Sequence, residues 1–476
     1  MKSINIIFLI SFILLTGCEH KHDIVIDQKV DPTCTQDGLS EGKHCKTCNK
    51  VLVEQTILPM LNHSLSDWII DADSTKNTIG SKHRYCFNCN ETMETDVIPK
   101  KQNENEIWDD DVLYNLELVN GKVECTNYDF VVCLTKDPLK DFKVLNLTDI
   151  QLEKWETSSG HYVFDNFAST VDYLIKESLP DLITISGDQG YGEKESIIAI
   201  SALIDSYNIP WAPVFGNHDN ECRDLSLKEQ IYEYSKYQNC LMKMGPNNIG
   251  LSYAGNILYG TYIINIVEVD NDSFNVVRSL YMINGGDNQD YDTEGVQVLN
   301  TGDYERNSEE QIGFYAWGNK SANKYKKDEN VKNTIIQHMP ITAYNVAFSE
   351  AFNTSINMYQ LDELYEECNK VTLEQSYLPE TWNEGYKDSF GVNHDGIYGP
   401  PVLDDVFERF VALGNLDSFI VGHDHLNNFC IKYNNVYLTY GLKTGIGCYY
   451  EEKLNGGTLL TYNSENDVSI RHIYKN

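Results

Sequence analysis

The stretch WAPVFGNHD, residues 211–219, decides how the chain is read. Trp211 to Phe215 is a short apolar run of the kind buried in a parallel sheet, and it stops at a glycine. Asn217, His218 and Asp219 follow: an amide, an imidazole and a carboxylate side by side. A plain turn also favours Gly, Asn and Asp, so the tripeptide carries weight only if other strands end in the same manner. They do. KVLNLT (143–148) runs into Asp149-Ile150-Gln151, and DLITIS (181–186) into Gly187-Asp188. NTIIQ (333–337) runs into His338, and SFIV (418–421) into Gly422-His423-Asp424-His425. In open α/β sheets, sites form beyond the carboxyl ends of the strands. Residues far apart in sequence are therefore expected to converge.

The segments between these strands read as helices. Phe164, Phe167, Val171, Leu174 and Ile175 recur on one helical face, and ESIIAISALIDS (195–206) is a second helix. Strand–helix–strand–helix–strand implies parallel strands with right-handed crossovers, hence an α/β fold. Further strands are expected at 257–265, 276–283, 334–337, 418–421, 436–440, 458–462 and 468–474, the later ones antiparallel.

The net charge is −34 over 476 residues. Nucleic-acid binding needs basic patches to neutralise phosphates, so no nucleic-acid scaffold is expected as a partner. Any phosphate chemistry would need local positive charge, which bound metal supplies.

The N-terminus has its own logic. Ile4 to Leu15 is an apolar run after one lysine, too short to span a bilayer and suited to a signal peptide over 1–17. Leu15-Thr16-Gly17-Cys18 resembles a bacterial lipobox, which implies lipidation of Cys18, a membrane anchor and an extracytoplasmic protein. In that compartment cysteines pair, and Cys222 with Cys240 and Cys430 with Cys448 are the sequence-local pairs.

Residues 18–100 hold a degenerate repeat. His22 aligns with His63, and Cys45-x-x-Cys48 with Cys86-x-x-Cys89, both at an offset of 41 residues. Thr75 stands in the second copy where the first has Cys34. His22, Cys34, Cys45 and Cys48 make a Cys3His zinc set. Cys45, Cys48, Cys86 and Cys89 make an alternative four-Cys set, and disulfides are the reading without metal. Units this small need a metal or cross-link because they bury little core. CTQDGLSEGKHC (34–45) resembles Cys-rich repeats of bacterial cell-surface proteins, which implies a spacer or binding module. The polar, acidic stretch that follows reads as a linker over 101–125, with the catalytic domain over 126–476.

The ordered set of strand-end motifs resembles the calcineurin-like metallophosphoesterases, whose pattern is D-x-H, G-D, G-N-H-[DE], H and G-H-x-H. VGHDHLNNFC (421–430), YGLKTGIG (440–447) and HMPI (338–341) are similar to the purple-acid-phosphatase-like branch. That resemblance implies a four-layer α-β-β-α sandwich with two mixed sheets, two metal ions and a phosphate-ester substrate. By its pattern Asp149 and His425 would hold one metal, with Gln151 as a weaker oxygen ligand where the family has His. Asp188 would bridge both ions. Asn217, His338 and His423 would hold the second. Such oxygen and nitrogen ligands suit Fe, Mn or Zn, as two divalent or mixed-valence ions. Tyr191 fits the G-D-x-x-Y pattern of an additional iron ligand. A hydroxide held between the ions would attack phosphorus. His218 would serve the leaving oxygen, oriented by Asp219. The resemblance favours a phosphatase acting on monoesters; a phosphodiesterase acting on nucleotides or lipid headgroups is the alternative, and a catalytically dead surface binding protein the third. His394, His161 and His472 are read as surface or structural histidines.

Overall fold

The structure is a computed structural model. It describes residues 21–66, 68–72, 80–98, 112–153, 158–291, 299, 302–326, 330–353 and 382–475. The signal segment, Cys18 and Thr75 lie outside the described residues, as do residues 101–111 of the expected linker. The chain divides into two compact units, Met1–Lys101 and Gln102–Asn476.

The first unit is built from short strands: β1 (Ile24–Asp27), β2 (Gly38–Leu39), β3 (Gly42–Cys45), β4 (Val51–Val53), β5 (Ile57–Leu58), β6 (Ile69–Ala72), β7 (Gly80–Tyr85) and β8 (Thr92–Ile98). β1-β3-β4 and β6-β7-β8 form two antiparallel three-stranded sheets, one per repeat, each with its Cys-x-x-Cys turn after the middle strand. Neither expected zinc grouping forms. Cys34 leaves the first repeat and gathers with His63, Cys86 and Cys89, while His22, Cys45 and Cys48 form a separate trio.

The second unit contains β9 (Leu116–Val119), β10 (Lys122–Cys125), β11 (Val131–Lys136), β12 (Phe142–Leu147), β13 (Leu182–Ser186), β14 (Trp211–Val214), β15 (Tyr262–Asp270), β16 (Ser273–Met282), β17 (Lys332–Ile336), β18 (Asn415–Val421), β19 (Cys430–Tyr433), β20 (Val436–Tyr440), β21 (Gly456–Tyr462) and β22 (Val468–Tyr474). Its helices are α1 (Ser158–Ser178), α2 (Lys194–Asp205), α3 (Leu227–Tyr234), α4 (Glu309–Asn323), α5 (Ala343–Ala351) and α6 (Val406–Leu413).

Two mixed sheets result. One runs β14-β13-β12-β21-β22 and the other β11-β15-β16-β17-β18-β20-β19. They face each other: Tyr262 Oη donates to Pro213 O at 2.7 Å, and the Thr334 and Tyr462 hydroxyls meet at 3.1 Å. α1 packs on β12 and β21, while α4, α5 and α6 pack on β16, β19 and β18. This is the expected α-β-β-α sandwich. α1 buries Phe167, Val171 and Leu174 of the helical face expected from the sequence.

Three expectations are corrected. The strands 332–336 and 415–421 are parallel to both neighbours and 436–440 is parallel to β18 but antiparallel to β19, while 458–462 and 468–474 pair antiparallel as expected; antiparallel pairing in the two large sheets is confined to β15/β16, β19/β20, β21/β22 and β12/β21. The end of the expected linker is ordered: β9 and β10 form a hairpin, and Tyr114 beside it is buried, with its hydroxyl on Asn265. The local disulfides do not form, all described cysteines being free. Cys240 bridges Trp211 at the start of β14 and Cys222 lies beyond that strand's end, so about 13 Å of strand separates them. Cys430 is buried on Thr439 Oγ1, whereas Cys448 is exposed.

Candidate metal centre

Every expected strand-end residue sits where the sequence placed it. Asp149 follows β12, Asp188 follows β13, Asn217 to Asp219 follow β14, His338 follows β17, and His423 and His425 follow β18. The turns are tight and strained: Asp149, Asp188 and His423 have φ of 52°, 52° and 80°. Left-handed backbone at non-glycine residues persists where surrounding structure enforces it, commonly at functional sites. The glycine before His423 is required by close approach, since a Cβ at Gly422 would lie 2.0 Å from Thr148 Oγ1.

Asp149, Asp188 and His338 bring one ligand atom each within 4.8 Å of one another, all buried. His338 Nε2 lies 3.1 Å from Asp188 Oδ2 and 3.9 Å from Asp149 Oδ1, and His425 Nε2 lies 3.4 Å from Asp149 Oδ1. His423 stands with its ring 5.2 Å from that of His338. The two imidazole tautomers are set from behind. His338 Nδ1 donates to Ser186 O, and His425 Nδ1 to Tyr449 O, both at 2.8 Å. Each Nε2 is turned toward the site, the arrangement a metal-binding imidazole needs. Asp149 divides likewise. Its Oδ2 accepts from Thr148 Oγ1 (2.8 Å) and His423 N (3.1 Å), leaving Oδ1 toward the imidazoles.

At the site three buried polar atoms make no well-aligned hydrogen bond: Asp149 Oδ1, Asn217 Oδ1 and His338 Nε2, the last meeting Asp188 Oδ2 as an ion pair at 3.1 Å. Leaving such atoms unsatisfied costs about 1–3 kcal/mol each. All three are metal donors, so the residues present fit a cation. The electrostatics agree. Burial pulls the His338 imidazole down, but the Asp188 and Asp149 carboxylates outweigh it and lift it to about 10. Burial pushes Asp149 up, yet His338, His425 and Lys443 hold it well below the usual carboxylate range. His423 is pulled down to about 3, first by burial and then by His338.

Two expected roles change. Gln151 is buried, but its Oε1 accepts from Lys443 Nζ at 3.0 Å and its Nε2 donates to Asp188 Oδ2 at 3.3 Å. The amide oxygen is engaged by Lys443, which favours for Gln151 a role linking Lys443 to Asp188 over that of a metal ligand. Asp219 does not orient His218. Its carboxylate accepts from the N–H groups of Asp188 (2.8 Å), Gly216 (2.9 Å) and Gly190 (3.2 Å), tying two metal-bearing loops together. Burial and the Asp188 charge push Asp219 up to about 7 against those donors. The residue that holds His218 is Glu221, whose Oε1 meets His218 Nδ1 at 2.5 Å.

Tyr191 packs its ring on His218, centroids 4.9 Å apart, under Arg223 at 3.9 Å. Burial, with Cys448, Glu153 and Asp188, raises its phenol above the usual range. His394 is exposed on a loop, and His472 is held by Thr458 Oγ1 and Asn428 O. Lys443 and Glu221 were not singled out from the sequence. Lys443 follows β20 as the ligands follow their strands, which was the available signal. The site opens into a cavity of about 550 Å³ lined by Asp188, Asn217, His218, His423 and His425.

Carboxylates, an amide and Nε2-presenting imidazoles, projected from the strand ends of facing mixed sheets, define a metallohydrolase centre. The chain belongs to the calcineurin-like phosphoesterase family, whose model matches residues 142–427. It is thereby a metal-dependent phosphoric ester hydrolase by class, and the family implies two metal ions. An Arabidopsis thaliana protein named probable inactive purple acid phosphatase 14 is 22% identical over 323 residues, 63% of this chain and 69% of its own length. Phosphatase DCR2 of Saccharomyces cerevisiae is 25% identical over 344 residues, 67% of this chain and 50% of that protein. The crystal structure of a dimetal phosphatase from Danio rerio aligns over 71% of this chain and 99% of that one, at 11% identity and a TM-score of 0.36.

Proposed function

We propose that the chain is an extracytoplasmic, membrane-tethered dinuclear phosphatase that hydrolyses phosphate monoesters. The observation that carries the hydrolase reading is the set of unpartnered buried donors, Asp149 Oδ1, Asn217 Oδ1 and His338 Nε2, at the floor of an open cavity. Asp149, Asp188, Asn217, His338, His423 and His425 would hold two ions, Fe, Mn or Zn by the chemistry of these donors. When bound, such a pair activates water and clamps the phosphoryl oxygens. The chain's own groups do the rest. Asp188 offers Oδ2 beside His338 while its Oδ1 accepts from His218 N at 3.0 Å, which fixes it between the two halves of the site. His218, on the cavity wall, carries a proton to the leaving oxygen, with Glu221 holding Nδ1.

One observation favours a second reading, a phosphodiesterase. Asp287, Asp395 and Asp424 line the cavity, and no lysine or arginine does among the described residues. A diester carries one negative charge fewer than a monoester dianion and meets less repulsion there. Hydrolysis of p-nitrophenyl phosphate against bis-p-nitrophenyl phosphate by the metal-loaded chain separates the two. A higher kcat/KM on the monoester supports the phosphatase, and the reverse replaces it with the diesterase.

The membrane anchor rests on the sequence around Cys18. Cys18→Ser should move the protein from the membrane fraction to the soluble extracytoplasmic fraction; an unchanged distribution would refute the anchor.

A further inference from the structure

The Cys-rich unit has almost no apolar core. Among its described residues the buried apolar side chains are Cys34, Cys45 and Cys86, while Ile24, Val51, Val53, Ile57, Ile69 and Ile70 are exposed. A unit folded around its cysteines needs a cross-link or a metal at that point.

The Cys-x-x-Cys turns of the two repeats carry the same backbone hydrogen bonds. Lys46 N donates to Asp23 O, and Phe87 N to Ser64 O, both at 2.8 Å. Asn49 N returns to Cys45 O, and Asn90 N to Cys86 O, both at 2.8 Å. Asn49 and Asn90 close the two turns with φ of 55° and 58°. Each repeat thus presents one histidine and a Cys-x-x-Cys turn in the same geometry. The fourth member breaks the symmetry. Cys34 of the first repeat lies in the second repeat's site, with its Sγ 3.6 Å from Cys86 Sγ, and Cys89 Sγ is 3.6 Å from His63 Nδ1. The loop carrying Cys34 is fastened to the stretch between the repeats: Leu61 N donates to Thr33 O and Met60 N to Asp37 Oδ1, both at 2.8 Å.

We propose that Cys34, His63, Cys86 and Cys89 bind a structural zinc ion that staples the first repeat to the second. The distances discriminate between metal and disulfide. A disulfide brings sulfurs to about 2.05 Å. Tetrahedral zinc, with Zn–S near ~2.3 Å and Zn–N near ~2.0–2.1 Å, sets S···S edges of about 3.8 Å and S···N edges of about 3.5 Å. The observed separations, 3.6 Å each, match the edges of that tetrahedron. Backbone N–H groups of Ser64 (3.4 Å) and Asn88 (3.3 Å) point at Cys86 Sγ, the kind of support a metal-bound thiolate receives. The first site, His22, Cys45 and Cys48, offers three ligands among the described residues.

Cobalt(II) exchange into the full chain under reducing conditions tests this. The spectrum should show the thiolate charge-transfer and visible bands of tetrahedral cobalt. Cys34→Ser should remove one tightly bound equivalent, whereas Cys430→Ser, in the other unit, should not. Cadmium NMR of the unsubstituted chain does not depend on a variant folding, and should resolve one site with three thiolates. Absence of a three-thiolate resonance, or a full thiolate spectrum in Cys34→Ser, would overturn the proposal. So would recovery of a Cys34–Cys86 disulfide from zinc-free protein.

Discussion

Charging the centre with metal should expel a proton from His338, and the pH dependence of that exchange can be worked from the site. In the metal-free protein His338 stands at about 10 against an ordinary 6.5, because Asp188 at 3.1 Å and Asp149 at 3.9 Å outweigh its burial. A histidine raised on folding stabilises fully below its unfolded value and loses that contribution as pH rises through its folded value. The window is therefore pH 6.5 to about 10. At about 1.4 kcal/mol per pH unit the contribution is roughly 5 kcal/mol, counted once for the whole His338–carboxylate cluster. Chelated protein should thus lose stability steadily from pH 6.5 upward. Metal-loaded protein should not, since the ion replaces the proton as the cation between the carboxylates. Isothermal titration of Mn²⁺ into chelated protein at neutral pH, in two buffers of different ionisation heat, reads the exchange directly. The first metal should release about one proton, and affinity should rise about tenfold per pH unit. His338→Gln should abolish the release. Metal binding without proton release, or chelated protein equally stable at both ends of the window, would refute the reasoning.

Gln151→Met should leave metal content unchanged and cost about 1–3 kcal/mol of stability, measured by urea unfolding, because buried Lys443 loses an acceptor; a loss of one metal would restore Gln151 as a ligand. His218→Ala should lower kcat by about 10²- to 10⁴-fold with metal retained, and Glu221→Gln should lower it less, as steady-state kinetics would show. Gly422→Ala should deplete metal, because its Cβ would lie 2.0 Å from Thr148 Oγ1 and 2.7 Å from Asp149 Oδ2; elemental analysis checks it.

The centre was legible where chain order and space coincide. A buried strand delivers the residue after it to one edge of the sheet, so an apolar run followed by Asp, Asn or His locates a ligand without any long-range information. The roles that changed depend on partners distant in sequence or on a turn's local geometry. Gln151 has the spacing of a ligand, but Lys443, nearly three hundred positions on, takes its oxygen. Asp219 adjoins His218 in sequence, yet points back to three backbone N–H groups, while Glu221 comes round on the short 3₁₀ turn Asp219–Glu221 to reach the imidazole. Strand direction in the second large sheet was misread because buried strands carry the same apolar pattern whichever way they pair. The repeat period was legible, whereas the transfer of Cys34 between repeats was not, since alignment compares copies and cannot show one lending a ligand to the other.

Ester hydrolysis by chelated full-length chain resupplied separately with Mn, Zn or Fe, compared with Asp188→Asn and Asn217→Ala, tests the dinuclear centre most directly. Turnover that requires metal in the unsubstituted chain and vanishes in both variants is the expected result. Turnover without metal, or undiminished in Asp188→Asn, would contradict the assignment of this site.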